Sequence, residues 1–156
     1  GNQRTKGRHM IRRYGEPPQT ARRYIRRPGV YAILHRNGQI LLTHQCEPTP
    51  EVQLPGGGID KGENPMAALH REAFEETGWR IAPERRFGTF RRFTYMPEYD
   101  LWAEKLCTIY IARPVLRVGP PSEPGHSPLW LSPGKALKSL GNPGDRAMFE
   151  RFITGG

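Results

Sequence analysis

The chain has 156 residues, enough for one domain with a buried core. Apolar residues make up 36% of it, which excludes a disordered chain, and no run approaches the roughly 18 apolar residues of a membrane span. Its net charge of +9 invites a nucleic-acid reading, but the charge is unevenly placed.

Residues 1–27 hold nine Lys or Arg against one acid, Glu16, a charge of +8, whereas the rest of the chain carries +1. The segment is read as a basic N-terminal extension, a solvated tail or one that attracts a polyphosphate or RNA. Within it, His9-Met10 matches a common cloning junction, so residues 1–9 read as an expression remnant. Arg and Gln stand where the apolar stretch of a signal peptide would lie. Cys46 and Cys107 are too few for a disulfide framework or a zinc site, and are expected to be reduced thiols in the cytoplasm.

The domain is expected from Pro28 to residue 156. Val30–Leu34 and Ile40–His44 are β-prone runs, joined by a tight turn at Asn37-Gly38. Val52–Leu54 is a short strand, ending in a breaker-rich loop, Pro55-Gly56-Gly57-Gly58, whose backbone can approach a ligand. A helix follows over Pro65–Thr77, with Asn64 as N-cap, Pro65 in the first turn and Gly78 just past the end. Phe87–Tyr95 and Trp102–Ile111 read as a hairpin closed by Met96–Asp100. Residues 117–128 read as a surface loop, Trp130-Leu131 as a short strand, and Arg146–Phe152 as a last helix. Trp102, Trp130 and Cys107 are expected in the core, and His44, His70 and His126 in solvent or loops.

The helix carries the chemistry. Glu72, Glu75 and Glu76 stand at i, i+3 and i+4, within roughly 100° of arc on one face. Like charges at that spacing destabilise a helix, and Arg71 relieves only part of the repulsion. Oxygen donors so crowded call for a hard cation, Mg²⁺ or Mn²⁺. Together with the glycine loop, they suit a divalent ion bridging phosphoryl oxygens.

Gly57, Glu63, Arg71-Glu72-Ala73, Glu75-Glu76 and Gly78-Trp79 are spaced as in the Nudix box, and the chain resembles the MutT-like Nudix hydrolases. The one departure is Ala73, at a packing position where a larger aliphatic residue is more usual. The resemblance implies an α/β fold, an α/β/α sandwich around a mixed sheet. It implies Glu72, Glu75, Glu76 and the Gly56 carbonyl as metal ligands, with Glu63 and Arg71 paired to brace the loop. Glu75, Glu76 and Arg71 are thus expected to serve catalysis. Glu123, in the loop before Trp130, is the expected general base, with Glu98, Asp100 and Glu104 behind it.

The implied reaction is metal-dependent hydrolysis of the pyrophosphate bond in a nucleoside diphosphate derivative. One alternative is an RNA 5′-end pyrophosphohydrolase; another is a nucleotide-sensing module without activity. The partners expected are a small nucleoside diphosphate derivative, RNA through the basic segment, and a second copy in a homodimer, without a membrane.

Overall fold

The structure, a computed structural model, describes residues 11–155. In chain order the elements are β1 (Arg12–Arg13), β2 (Ile25–Arg36), β3 (Gln39–Gln45), β4 (Glu51–Gln53), β5 (Gly56–Gly58) and α1 (Pro65–Thr77). These are followed by β6 (Trp79–Met96), β7 (Leu101–Arg117), β8 (His126–Leu131), α2 (Pro133–Ser139) and α3 (Pro143–Ile153).

One sheet runs in the order β1-β6-β7-β2-β3-β4, with β5 added to β2 and β8 to β3. The β1–β6 and β2–β7 pairs are parallel and the others antiparallel, so the sheet is mixed. Alternation along β2 sends side chains to two cores. Val30, Ala32 and Leu34 pack with Leu69 and Ala73 of α1. Ile33 packs on the other face with Leu140, next to the end of α2, and Phe149 of α3. This is the expected α/β/α sandwich.

The strand β2 is the pivot. At its C-terminal end Leu34–Arg36 pair with β3, while Gly29–Tyr31 pair with Gly56–Gly58. The glycine segment expected to be a loop is therefore a strand. A Cβ on Gly56 would run into the Val30 carbonyl and Tyr31, so the close approach there is to the protein's own sheet.

Helix α1 has the expected bounds and caps. Asn64 Oδ1 accepts from the N–H groups of Met66 and Ala67 at 2.8 and 3.3 Å. Gly78 adopts φ +78°, and its N–H donates to the Phe74 carbonyl at 2.8 Å. The same polar-residue-then-proline signal recurs at Ser132-Pro133 and Asn142-Pro143. It starts α2, which the apolar pattern does not reveal because Ala136 is its one buried residue, and starts α3 three residues earlier than expected.

The expected start at Pro28 falls inside β2, which pairs with β7 from Ile25 onward. Upstream of it, Arg12-Arg13 pair with Phe90-Arg91, and Tyr14 lies edge-on to Phe90 at 5.7 Å. Arg22 stacks on the Trp102 ring at 3.5 Å. Part of the basic segment is thus packed rather than solvated; the expression remnant assigned to residues 1–9 lies outside the described residues. Trp102 and Trp130 are half-buried rather than core, whereas Cys107 is buried. Among the described residues, no helix is long and apolar enough to cross a membrane.

Asp145 joins α3 to the sheet: its Oδ2 accepts from the Leu54 N–H at 3.2 Å, and it is 4% exposed. Burial pushes its carboxyl up to about 6, against the help of that N–H group. A folded value above the unfolded one (about 3.9) means that the folded state binds the proton more tightly. Its neutral form stabilises fully below about pH 4, and that contribution fades as pH rises through about 6. The change is on the order of 3 kcal/mol. Asp145→Asn, which stays neutral, should therefore gain stability relative to the parent between pH 4.5 and 7 in urea unfolding. A difference that does not change with pH would show that Asp145 does not titrate in this range.

Candidate active site

The carboxylates of α1 meet one arginine. Arg71 Nε and Nη2 donate to Glu63 at 2.8 and 2.9 Å, a two-point pairing across eight residues that ties the loop before α1 to the helix. Its Nη1 reaches Glu72 at 2.8 Å and Glu75 at 3.3 Å. The Arg71 hydrogen bonds hold Glu63 at about 2, far below the usual carboxylate range. Glu72 shifts the other way, because burial outweighs Arg71 and Glu75 adds repulsion.

Glu76 is 5% exposed, and Arg71 does not reach it. Its Oε1 accepts from the Gly56 N–H at 3.1 Å. Burial drives its carboxyl well above the usual range, and Glu72, Glu123 and Glu75 push the same way. A Cβ on Gly57 would overlap the Glu72 carboxylate, so a larger residue there would have to push that carboxylate aside.

The sequence did not reveal His126. It starts β8 and packs inward, with Nδ1 3.0 Å from Thr43 Oγ1 and Nε2 3.9 Å from Glu76 Oε2. Burial lowers its pKa, favouring the neutral ring. The signal for it is nonlocal, since it depends on β8 pairing with β3.

Glu123 arrives by its backbone: its N–H donates to the Glu75 carbonyl at 2.8 Å. Its charge is felt by Glu72, Glu76 and His126. Of its rivals, Glu104 pairs with Arg26 and Arg91, and Asp100 accepts from the Tyr95 hydroxyl. Glu98 lies on the wall of the same cleft. That cleft is about 340 Å³ and is lined by Glu72, Glu76 and Glu123 as well as by Arg27, Arg92 and Lys105.

Among the described residues, no three His, Cys, Asp or Glu side chains form a finished metal cage. Arg71 holds Glu72 and Glu75, while Glu76 faces Gly56. The donor set still fits a hard divalent ion. It is all oxygen, it is crowded, and at its centre is a buried carboxylate with like charges around it.

The architecture is a mixed sheet between helices, with a glycine strand set against a carboxylate-rich helix. The NUDIX domain family matches residues 25–152, and the chain belongs to this family, the Nudix hydrolases, which generally use divalent metal ions. Over 74 residues it is 32% identical to a putative 8-oxo-dGTP diphosphatase of Bacillus subtilis, covering 47% of this chain and 50% of that one. Over 56 residues it is 45% identical to an RNA pyrophosphohydrolase of Mesorhizobium japonicum, covering 31% and 32%. The chain thus spans half or less of these curated relatives. A MutT protein from Methanosarcina mazei superposes with a TM-score of 0.67 at 25% identity, covering 85% and 96% of the two chains.

Arg71→Lys retains the charge and loses the fork. It should lower stability by about 1–2 kcal/mol, read by urea unfolding at pH 7. An unchanged midpoint would remove Arg71 from its bracing role.

Proposed function

We propose that the chain hydrolyses a phosphoanhydride bond in the 5′-polyphosphate end of RNA. The observation that carries this reading is the cleft itself, which is lined both by the carboxylates around Glu76 and by three cations, Arg27, Arg92 and Lys105. Such a lining suits a substrate whose reacting phosphates need a metal while its other phosphates need cations. The likeness to the RNA pyrophosphohydrolase of Mesorhizobium japonicum supports it. A small nucleoside diphosphate or triphosphate derivative is the second reading, favoured by the likeness to the Bacillus subtilis relative.

Glu72, Glu75, Glu76 and the Gly56 carbonyl would hold Mg²⁺ or Mn²⁺. When bound, such an ion offsets charge building on the phosphoryl oxygens and acidifies water. Glu123 takes a proton from the attacking water as its oxygen bonds to the α-phosphorus. The α–β anhydride bond breaks, and pyrophosphate leaves from an RNA that keeps a 5′-monophosphate. Arg71 and Glu63 position the helix carboxylates, and His126 flanks Glu76.

The test is to supply 5′-triphosphorylated RNA and a panel of nucleoside diphosphate derivatives with Mg²⁺ or Mn²⁺ and to identify both products. Release of pyrophosphate from RNA at a higher kcat/KM than from any mononucleotide is expected. Preference for a mononucleotide would replace the RNA reading with the second one. Glu123→Gln should lower kcat by roughly 10²–10⁴-fold while leaving metal affinity nearly unchanged. A near-normal Glu123→Gln beside a crippled Glu98→Gln would move the base to Glu98. Glu76→Gln should lose turnover by orders of magnitude, and full activity in excess chelator would refute metal dependence.

A further inference from the structure

Three cations stand in register on adjacent strands. Lys105 of β7 pairs with Arg27 of β2 on one side and with Arg92 of β6 on the other. Residues directly opposite share a sheet face, and neighbouring strands lie about 4.8 Å apart. Two positions further along the same face are Gly29, Cys107 and Phe90, of which Cys107 and Phe90 enter the core beneath α3. The row therefore begins where that core ends, and all three cations line the cleft.

Like charges directly opposite one another destabilise a sheet. On the other face of these strands the problem is solved by Glu104, which lies 3.8 Å from Arg26 and 3.6 Å from Arg91. On the cleft face it is left unsolved. Among the described residues, none of the three has a carboxylate within 4.0 Å. Asp145, whose ionised form Lys105 and Arg92 favour, lies beyond that distance. The three side chains are only half-buried, so an external anion can reach them.

The row is also a junction. A second groove of about 350 Å³ shares Arg92 and Lys105 with the cleft, and runs between the β3–β4 loop at Pro48-Thr49 and the hairpin tip at Tyr95–Glu98. Glu51 and Glu98 border it too, and Glu51 accepts from Gln53 Nε2 at 2.8 Å. Tyr95 and Tyr99 expose 38% and 55% of their surface, and Arg27 lies 4.6 Å from the Tyr99 ring. Exposed aromatic rings beside cations make the usual platform for single-stranded nucleic acid. Arg27 is four residues from Tyr31, the partner of Gly56, or about 13 Å along the strand. The Tyr31 ring lies over Gly29 between the row and the carboxylate cluster, with the Lys105 ammonium 5.9 Å from its centre.

We infer that Arg27, Lys105 and Arg92 form a binding site for a phosphodiester of single-stranded RNA downstream of the 5′ end, and that the second groove leads the strand away. The inference rests on the RNA reading of the function but is tested by binding alone. A protein that binds as described yet releases no pyrophosphate refutes only the activity.

The experiment measures Kd of the full chain for 5′-monophosphorylated RNA of one, two and six nucleotides, at fixed Mg²⁺ across a KCl series. Affinity should rise with length, and Arg92→Gln with Lys105→Gln should weaken six-nucleotide binding at least ten-fold. Losing two phosphate contacts should flatten the salt dependence by about 1.4 in log–log slope. The single nucleotide should be affected much less. Arg92→Lys with Lys105→Arg keeps the charge and should keep six-nucleotide binding, which guards against a loss caused by misfolding. Equal weakening for one and six nucleotides would overturn the site, since the row would then serve the phosphates of a small nucleotide. No weakening, no length dependence in the parent, or failure of the charge-keeping pair would overturn it as well.

Discussion

Burying Glu76 is the constraint around which the site is built. A carboxylate removed from water needs compensation, and the helix offers the opposite, with Glu72 one turn back and Glu75 adjacent. Arg71 is already shared among Glu63, Glu72 and Glu75. Within hydrogen-bond reach, what remains for Glu76 is the Gly56 N–H, with His126 further off at 3.9 Å, and the Gly56 contact requires β5 to lie against α1. Gly56 meets the requirement, because a Cβ there would run into the Val30 carbonyl and the Tyr31 backbone, and Gly57 leaves the Glu72 carboxylate in place. The glycines thus serve the packing of strand on helix, and the uncompensated charge that results is what suits the site to a cation.

The sheet repeats this logic with the sign reversed. On β2, β6 and β7 one face balances its arginines with Glu104, and the other collects Arg27, Lys105 and Arg92 without a paired carboxylate. A cleft whose walls change sign over a short distance orients a polyanion before any chemistry occurs. The net charge of the whole chain says little about this. The three cations are only part of the +9, and what distinguishes them is their register and the missing counter-charge.

Helix α1 and its carboxylate face were legible in the sequence because every signal for them is local. Asn64, Pro65 and Gly78 mark its ends, and the i, i+3, i+4 spacing sets its face. The same holds for the Asn37-Gly38 turn. Features that depend on pairing between distant segments were not legible. His126 reaches Glu76 only because β8 pairs with β3, and the row of cations draws on positions 27, 92 and 105. The glycine strand was hidden for another reason: its residues have low strand propensity, and β2 imposes the extended form on them. Tyr14 and Arg22 show the converse case. Their charge-rich surroundings read as tail, yet each finds an aromatic ring to pack on.

The end of α1 links capping to chemistry. A helix leaves its last carbonyls without intrahelical partners. Here the Gly78 N–H satisfies Phe74, the Glu123 N–H satisfies Glu75, and the Val118 N–H bonds to the carbonyl of Gly78 itself. The loop that closes the helix is therefore the loop that carries Glu123. Gly78 is required twice, for its left-handed backbone and because a Cβ there would overlap the Gly119 carbonyl. A side chain at position 78 would displace the segment at Gly119 and, through it, Glu123, although the two residues are far apart in sequence. The position of Glu123 is thus set by a main-chain bond to the same helix whose carboxylates feel its charge, and the loop is tied to that helix at a second point by the Val118–Gly78 bond.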